Sequence, residues 1–212
     1  MMSFQRATQQ FLLTLFALVS CIGLVIAEES SAKLPAGYID EAPLPEGYPP
    51  PGEVGQVIEK EYPVTRSYSA TGQGAFMKCF AYLVKQKHEM TAPVVMEYTG
   101  DKSGAEADPN EAPVTIKRMH FLLEKISQDK PKEQGPVTVA DIPKLRVLSV
   151  AYQGRMNPAA IAEATAKLQA AMAVKPELKA AGEIRILGYN GPMVPRDKVY
   201  WEVQIPLADP AK

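Results

Sequence analysis

Apolar and polar positions alternate with two periods between residues 55 and 207. Ile58, Tyr62, Val64 and Tyr68 fall at even spacing, which predicts a strand with one apolar face. Gly72 and Gly74 interrupt it. Phe76, Cys79, Phe80 and Leu83 then follow helical spacing and predict a helix near residues 74–86, with Cys79 a small buried hydrophobe. Met90, Ala92, Val94, Met96 and Tyr98 alternate again, a polar loop runs from Gly100 to Pro113, and Met119, Phe121 and Leu123 mark a further strand. The opposite face of that strand carries Ile116, Arg118, His120 and Leu122. After a second proline-bearing loop around Lys130 to Pro136, Leu145 to Tyr152 reads as a strand. Asn157-Pro158 then supplies an N-cap and a first-turn proline for an alanine-rich helix near 158–175, with the stripe Ile161, Ala164, Thr165, Leu168 and Met172. Ile184 to Tyr189 and Val199 to Ile205 complete two strands. Strand-helix-strand-strand thus occurs twice, which predicts an α+β fold: duplicated βαββ units forming an eight-stranded, mostly antiparallel sheet or distorted barrel with two long helices.

The two ends of the chain have other patterns. Residues 11–26 are almost unbroken apolar and end abruptly at Glu28 and Glu29, the pattern of a secretory signal over residues 1–27. Val25-Ile26-Ala27 suits cleavage before Glu28. Leu18-Val19-Ser20-Cys21 resembles the bacterial lipobox, whose cysteine is lipid-modified, and this leaves a membrane tether at Cys21 open as the competing route. Both routes imply export to a periplasmic or extracellular compartment. Residues 34–52 hold six prolines, and Leu34-Pro35-Ala36-Gly37-Tyr38 returns as Leu44-Pro45-Glu46-Gly47-Tyr48. Neither helix nor central strand tolerates this composition, so residues 28–53 are expected to form an extended proline-rich linker before a domain over 54–207 and a tail over 208–212. A domain of about 155 residues buries roughly 70% of its unfolded surface, enough for an autonomous core.

Composition narrows the chemistry. The chain has 212 residues, 23 Lys and Arg against 24 Asp and Glu, and a net charge of -1, so it has no basic footprint for nucleic acid. Two cysteines and two histidines do not supply a disulfide scaffold, a zinc finger or a histidine-rich metal cage. No G-x-S-x-G, H-E-x-x-H, C-x-x-C, P-loop or dinucleotide fingerprint occurs. The pair Glu59 and Glu61 lies on the polar side of a strand, as solvated carboxylates do.

Several segments resemble the SOUL haem-binding protein family. They are Ile58-Glu59-Lys60-Glu61-Tyr62-Pro63, the helix from Gly74 to Leu83, and Lys87-His88-Glu89-Met90-Thr91-Ala92-Pro93-Val94, which is similar to the family's "KIAMTAPV". Val147 to Arg155, Leu187-Gly188-Tyr189-Asn190-Gly191-Pro192 and Trp201-Glu202-Val203 extend the resemblance over roughly residues 54–207. It implies a duplicated βαββ fold and binding of haem or another tetrapyrrole in an exposed apolar groove. Two positions depart from the pattern: Glu61 stands where one branch has a proposed axial histidine, and His88 stands for the isoleucine of the signature. A carboxylate is a poor haem ligand beside imidazole. The expected mode is therefore packing against apolar side chains, with basic residues meeting the propionates.

The leading expectation is an exported, non-enzymatic tetrapyrrole carrier or buffer. Tyr62, Val64, Met90 and Met96 are its candidate walls, and Lys60, Arg66 and Arg118 its candidate cations. Of the two histidines, His88 is the candidate iron ligand, because it lies in the signature segment. An enzyme acting on a haem-like or other apolar ligand in the same pocket, and a protein-interaction module with a vestigial pocket, are the alternatives. The first requires an ionisable group with shifted pKa inside the groove, and the second an apolar patch without a cavity. No protein partner is identifiable from the sequence.

Overall fold

The computed structural model describes residues 34–98 and 115–209. The expected signal, Cys21 and the expected loop from Gly100 to Pro113 lie outside the described residues. Nine strands form one antiparallel sheet: β1 Val57–Tyr62, β2 Thr65–Thr71, β3 Val94–Tyr98, β4 Ile116–Leu122, β5 Lys132–Gln134, β6 Val137–Ile142, β7 Leu145–Gln153, β8 Arg185–Gly188 and β9 Tyr200–Leu207. Helix α1, Ala75–Gln86, follows β2, and helix α2, Pro158–Ala173, follows β7. The Asn157 side chain caps α2 by accepting the Ala160 N–H at 2.8 Å. The strand order β1-β7-β9-β8-β3-β4-β2-β6-β5 has a symmetric centre: β7-β9-β8 on one side of the middle mirrors β2-β4-β3 on the other. Two βαββ units therefore meet along β3 and β8, and α1 lies across β2, β4 and β6 as α2 lies across β7, β9 and β1.

Proline explains where the periodicity misleads. The even spacing of Ile58, Tyr62, Val64 and Tyr68 predicts one strand, but Pro63 breaks it into β1 and β2, which pair with different neighbours. Pro lacks the ladder N–H, and the chain crosses there from one end of the sheet towards the other. Pro143 does the same between β6 and β7. Around the two crossings, Glu61-Tyr62-Pro63-Val64-Thr65-Arg66 and Asp141-Ile142-Pro143-Lys144-Leu145-Arg146 occupy equivalent places, with Tyr62 opposite Leu145 and Thr65 opposite Ile142. This short repeat is a sequence trace of the duplication that element order alone does not reveal. Because β1 and β2 are joined by two residues yet stand far apart in strand order, the sheet must curl. It bends into an open trough and does not close by hydrogen bonds into a barrel. β5 falls in the loop expected around Lys130 to Pro136, and β6 in the following stretch, for which no strand was expected; the alternation of Val137 and Val139 was the signal for β6.

Paired residues on neighbouring strands share a face, so the register assigns the side chains. Outside the trough, Tyr68, Phe121 and Val139 pack with Cys79 and Leu83 of α1, while Leu148, Ile186, Trp201 and Val203 pack with Ile161 and Leu168 of α2. Burial pushes the Cys79 thiol up to about 11, so it stays protonated as a core side chain.

Inside the trough lies the segment expected to be a linker. Residues 34–52 contain no helix or strand, yet they pack on the domain, with Pro35, Pro45, Tyr48, Pro51 and Gly52 buried. Each copy of its repeat makes a tight turn, closed by Tyr38 N–H to Pro35 O at 3.2 Å and Tyr48 N–H to Pro45 O at 3.0 Å. The positive φ that such turns need is taken by Gly37 at 78° and Gly47 at 72°. Each turn then delivers a tyrosine: Tyr38 meets Tyr189 and Tyr200 edge-on, and Tyr48 meets Tyr62 with centroids 4.6 Å apart. The spacer expectation fails because the prolines preset the bend and the tyrosines supply buried area.

Candidate functional site

The first helix has a second apolar face. Phe76 and Phe80, one turn apart, lie nearly parallel with centroids 6.1 Å apart and remain 38% and 36% exposed. Two loops face them. The Met90–Val94 loop is held by Thr91 Oγ1 donating to Leu122 O at 2.7 Å and by Ala92 N–H donating to Pro43 O at 3.0 Å. The loop after β8 is held by Asn190, which donates from Nδ2 to Ile39 O at 2.8 Å and accepts the Tyr200 N–H at 2.8 Å, and by Gly191 N–H donating to Glu41 at 2.8 Å. Residues 34–52, which form a strap inside the trough, thus tie the two signature segments together. Between them and α1 is a cleft of about 390 Å³, walled by Phe76, Phe80, Met90, Val94, Tyr189 and Pro192.

This cleft suits a flat apolar ring system. Its aromatic wall is uncovered, its polar groups are mostly spent on holding the loops, and its mouth is open to solvent. Of the side chains lining it, Met90 alone has a thioether or imidazole able to ligate haem iron. None of them is cationic, so carboxylate substituents of a bound macrocycle belong at the mouth. Among the described residues, no cluster of three His, Cys, Asp or Glu is placed to hold a metal ion.

The residues singled out from the sequence scatter over the fold. Met90 lines the cleft. Tyr62 is buried on the inner face of the trough, where its hydroxyl accepts from Gln204 at 2.7 Å. Met96 is buried beneath the outer core around Leu168 and Trp201. Val64 is exposed at the first crossing, and Arg66 is held by Asp141 at 2.7 and 3.0 Å. Arg118 lies at the other end of the trough, 4.0 Å from Glu97. His88 is not a cleft residue: its Nδ1 lies 2.5 Å from the Tyr68 hydroxyl, with the two rings stacked. Phe76, Phe80 and the loop from Gly188 to Pro192 are the cleft residues that the candidate list lacks. The sequence pattern puts Phe76 and Phe80 in one stripe with Cys79 and Leu83, but α1 buries Ala75, Cys79, Tyr82 and Leu83 and leaves both phenylalanines partly exposed.

Lys60 is the clearest departure from a ligand-facing cation. Its ammonium is buried, 2.6 Å from Glu202 and 2.8 Å from Pro50 O. Burial lowers the lysine pKa, and Glu202 pulls it back up. Glu202, fully buried, also accepts from Gly52 N–H at 2.6 Å, Ser149 at 3.1 Å, Gln204 at 3.1 Å and Tyr189 at 3.2 Å. Burial and then the neighbouring Glu202 charge raise the Tyr62 and Tyr189 hydroxyls well above the ordinary value, so both remain protonated. These groups form a closed cluster beneath the strap, in which Gln204 Oε1 is left without a hydrogen-bond partner among the described residues.

The SOUL heme-binding protein family model matches residues 53–206. No curated protein matches the chain. Among solved structures, the EcmrR C-terminal domain is similar at a TM-score of 0.50 and 17% identity, covering 72% of this chain and 97% of that one. EcmrR in its complex with DNA matches with the same score and identity, and there the similarity spans 57% of that chain. A hydrolase from Listeria innocua is similar at a TM-score of 0.53 and 8% identity, covering 73% of this chain and 93% of that one. At such identities the likeness is one of fold.

Proposed function

The chain belongs to the SOUL heme-binding protein family, and we propose that it is an exported, non-enzymatic carrier that holds haem or a related tetrapyrrole in the cleft beside α1. Family membership supports the ligand class. The observation that supports the place is the uncovered Phe76 and Phe80 wall facing Met90 and Val94 across about 390 Å³. Phe76 and Phe80 would hold the macrocycle, Met90 is the lining side chain whose thioether would be able to ligate its iron, and, with no cation in the lining, the propionates would be left to solvent. An enzyme on the same ligand has less support, because Tyr189, the cleft residue whose hydroxyl pKa is raised, spends that hydroxyl on the buried Glu202 at 3.2 Å.

Titrating the full chain with hemin and following the Soret band tests the reading. Micromolar or tighter binding is expected, corresponding to about 8 kcal/mol. Phe76→Ala with Phe80→Ala should weaken it at least tenfold, and Met90→Leu should shift the ferric spectrum if the thioether ligates. No hemin binding, or binding indifferent to both phenylalanines, overturns the assignment. Export rests on the apolar segment 11–26. Mass spectrometry of the protein from its native cells tests it: a diacylglyceryl-modified Cys21 supports tethering, a free Glu28 N-terminus supports release, and an intact Met1 refutes both.

A further inference from the structure

The end of the trough that the strap leaves uncovered holds a second cavity, of about 480 Å³, on the inner faces of β2, β3, β4, β6, β8 and β9. At its floor is Arg185. The residue is 8% exposed, and its Nη1 and Nη2 are buried without a hydrogen-bond acceptor among the described residues. The Tyr62 ring lies 5.8 Å from the guanidinium carbon, and the Tyr48 hydroxyl is close enough to interact with the guanidinium, but neither Nη has a hydrogen-bond acceptor. Glu97, opposite Arg185 in the register, is turned instead to His120 at 3.1 Å. The other carboxylates of the lining are also engaged: Asp141 with Arg66 at 2.7 Å and Glu183 with Lys117 at 2.9 Å.

A buried guanidinium without an acceptor is costly, and it presents a planar fork that matches a carboxylate. A single water occupies about 30 Å³, a small part of this space, and the mixed lining includes the apolar side chains of Val95, Ile142, Leu145 and Pro206. Three carboxylates near the rim oppose a dianion. We propose that the trough is a second binding site, for a small monocarboxylate with an apolar body. Its carboxylate docks on Arg185, and its hydrocarbon part lies against Val95, Ile142, Leu145 and Pro206. The site is separate from the cleft beside α1 and does not depend on tetrapyrrole binding.

Calorimetric titration of the full chain, free of tetrapyrrole, with octanoate, octanamide and inorganic phosphate tests this. Octanoate should bind at least tenfold more tightly than octanamide, and phosphate should bind no better than the amide. Arg185→Gln should erase the preference for the acid. Ala140→Trp, which fills the trough without touching Arg185, should abolish octanoate binding, with circular dichroism confirming the fold of each variant. Equal affinity for acid and amide, a preference that survives Arg185→Gln, phosphate binding as tight as octanoate, or octanoate binding unchanged by Ala140→Trp would each overturn the proposal.

Discussion

The two halves of the trough present the same backbone positions and use them in opposite ways. Aligning Pro63 with Pro143 carries Ser69 onto Ser149, and the strand registers then carry its partner His120 onto Gln204 and the neighbouring Arg118 onto Glu202. By the same alignment, Lys60 of β1 corresponds to Ala140 of β6, and Tyr62 to Ile142. In the second half, Lys60 fills the space above the strip, neutralises Glu202 and is roofed by the strap. In the first half, Ala140 is too short to do so, and a cavity remains with Arg185 unpaired beside it. Duplication therefore supplies matching positions, and side-chain length at one pair of them decides whether a strip becomes core or site.

Breaking the closed strip should have the largest effect. Glu202→Ala leaves the Lys60 ammonium buried without its partner and should cost about 3–5 kcal/mol in urea unfolding, whereas Lys60→Met combined with Glu202→Leu should recover most of that loss. A cost below about 1 kcal/mol for Glu202→Ala would mean that the strip is hydrated and the contrast false. Removing the strap's anchor comes next: Tyr48→Ala deletes a buried aromatic ring and should cost about 3 kcal/mol, and a spacer that does not pack would leave unfolding unchanged. In the open strip, His120→Ala should cost only about 1 kcal/mol, since it removes hydrogen bonds to Glu97 and Ser67 at the edge of a cavity.

The smallest expected effect is the acid dependence at the crossing. The hydrogen bond from Arg66 lowers the Asp141 carboxyl pKa below its ordinary value, outweighing burial. A carboxylate with a depressed folded pKa stabilises the fold at pH above its unfolded value, about 4, and loses that contribution as pH falls through the folded value. The wild-type chain should therefore lose stability below about pH 4 more steeply than Asp141→Asn in thermal melts. Parallel curves would show that the exposed pair contributes nothing measurable.

Local pattern was enough for much of this molecule. Helical stripes placed α1 and α2 within a few residues, since a stripe such as Ile161, Ala164 and Leu168 has one way to be buried, and Asn157-Pro158 marks a start whatever lies around it. Met90-Thr91-Ala92-Pro93-Val94 and Gly188-Tyr189-Asn190-Gly191-Pro192 pointed to the family, and both line the cleft. What remained was decided by partners distant in the chain. Alternation states that Lys60 and Arg118 are polar positions but not which face of a curled sheet they occupy, so a lysine bonded to Glu202 reads the same as one awaiting a ligand. His88 looked available until Tyr68, twenty residues earlier, took its Nδ1. The proline-rich strap was composed like a spacer, and only the tyrosine pocket formed by Tyr62, Tyr189 and Tyr200 gives its turns something to bury. Arg185 sits in an ordinary alternating strand, and nothing along that strand tells that Glu97, the carboxylate opposite, is bonded to His120. Composition and periodicity determine which segments fold and which side chains face together along one element. Which polar group meets another depends on closure of the trough, because burial and pairing across strands are properties of the assembled sheet.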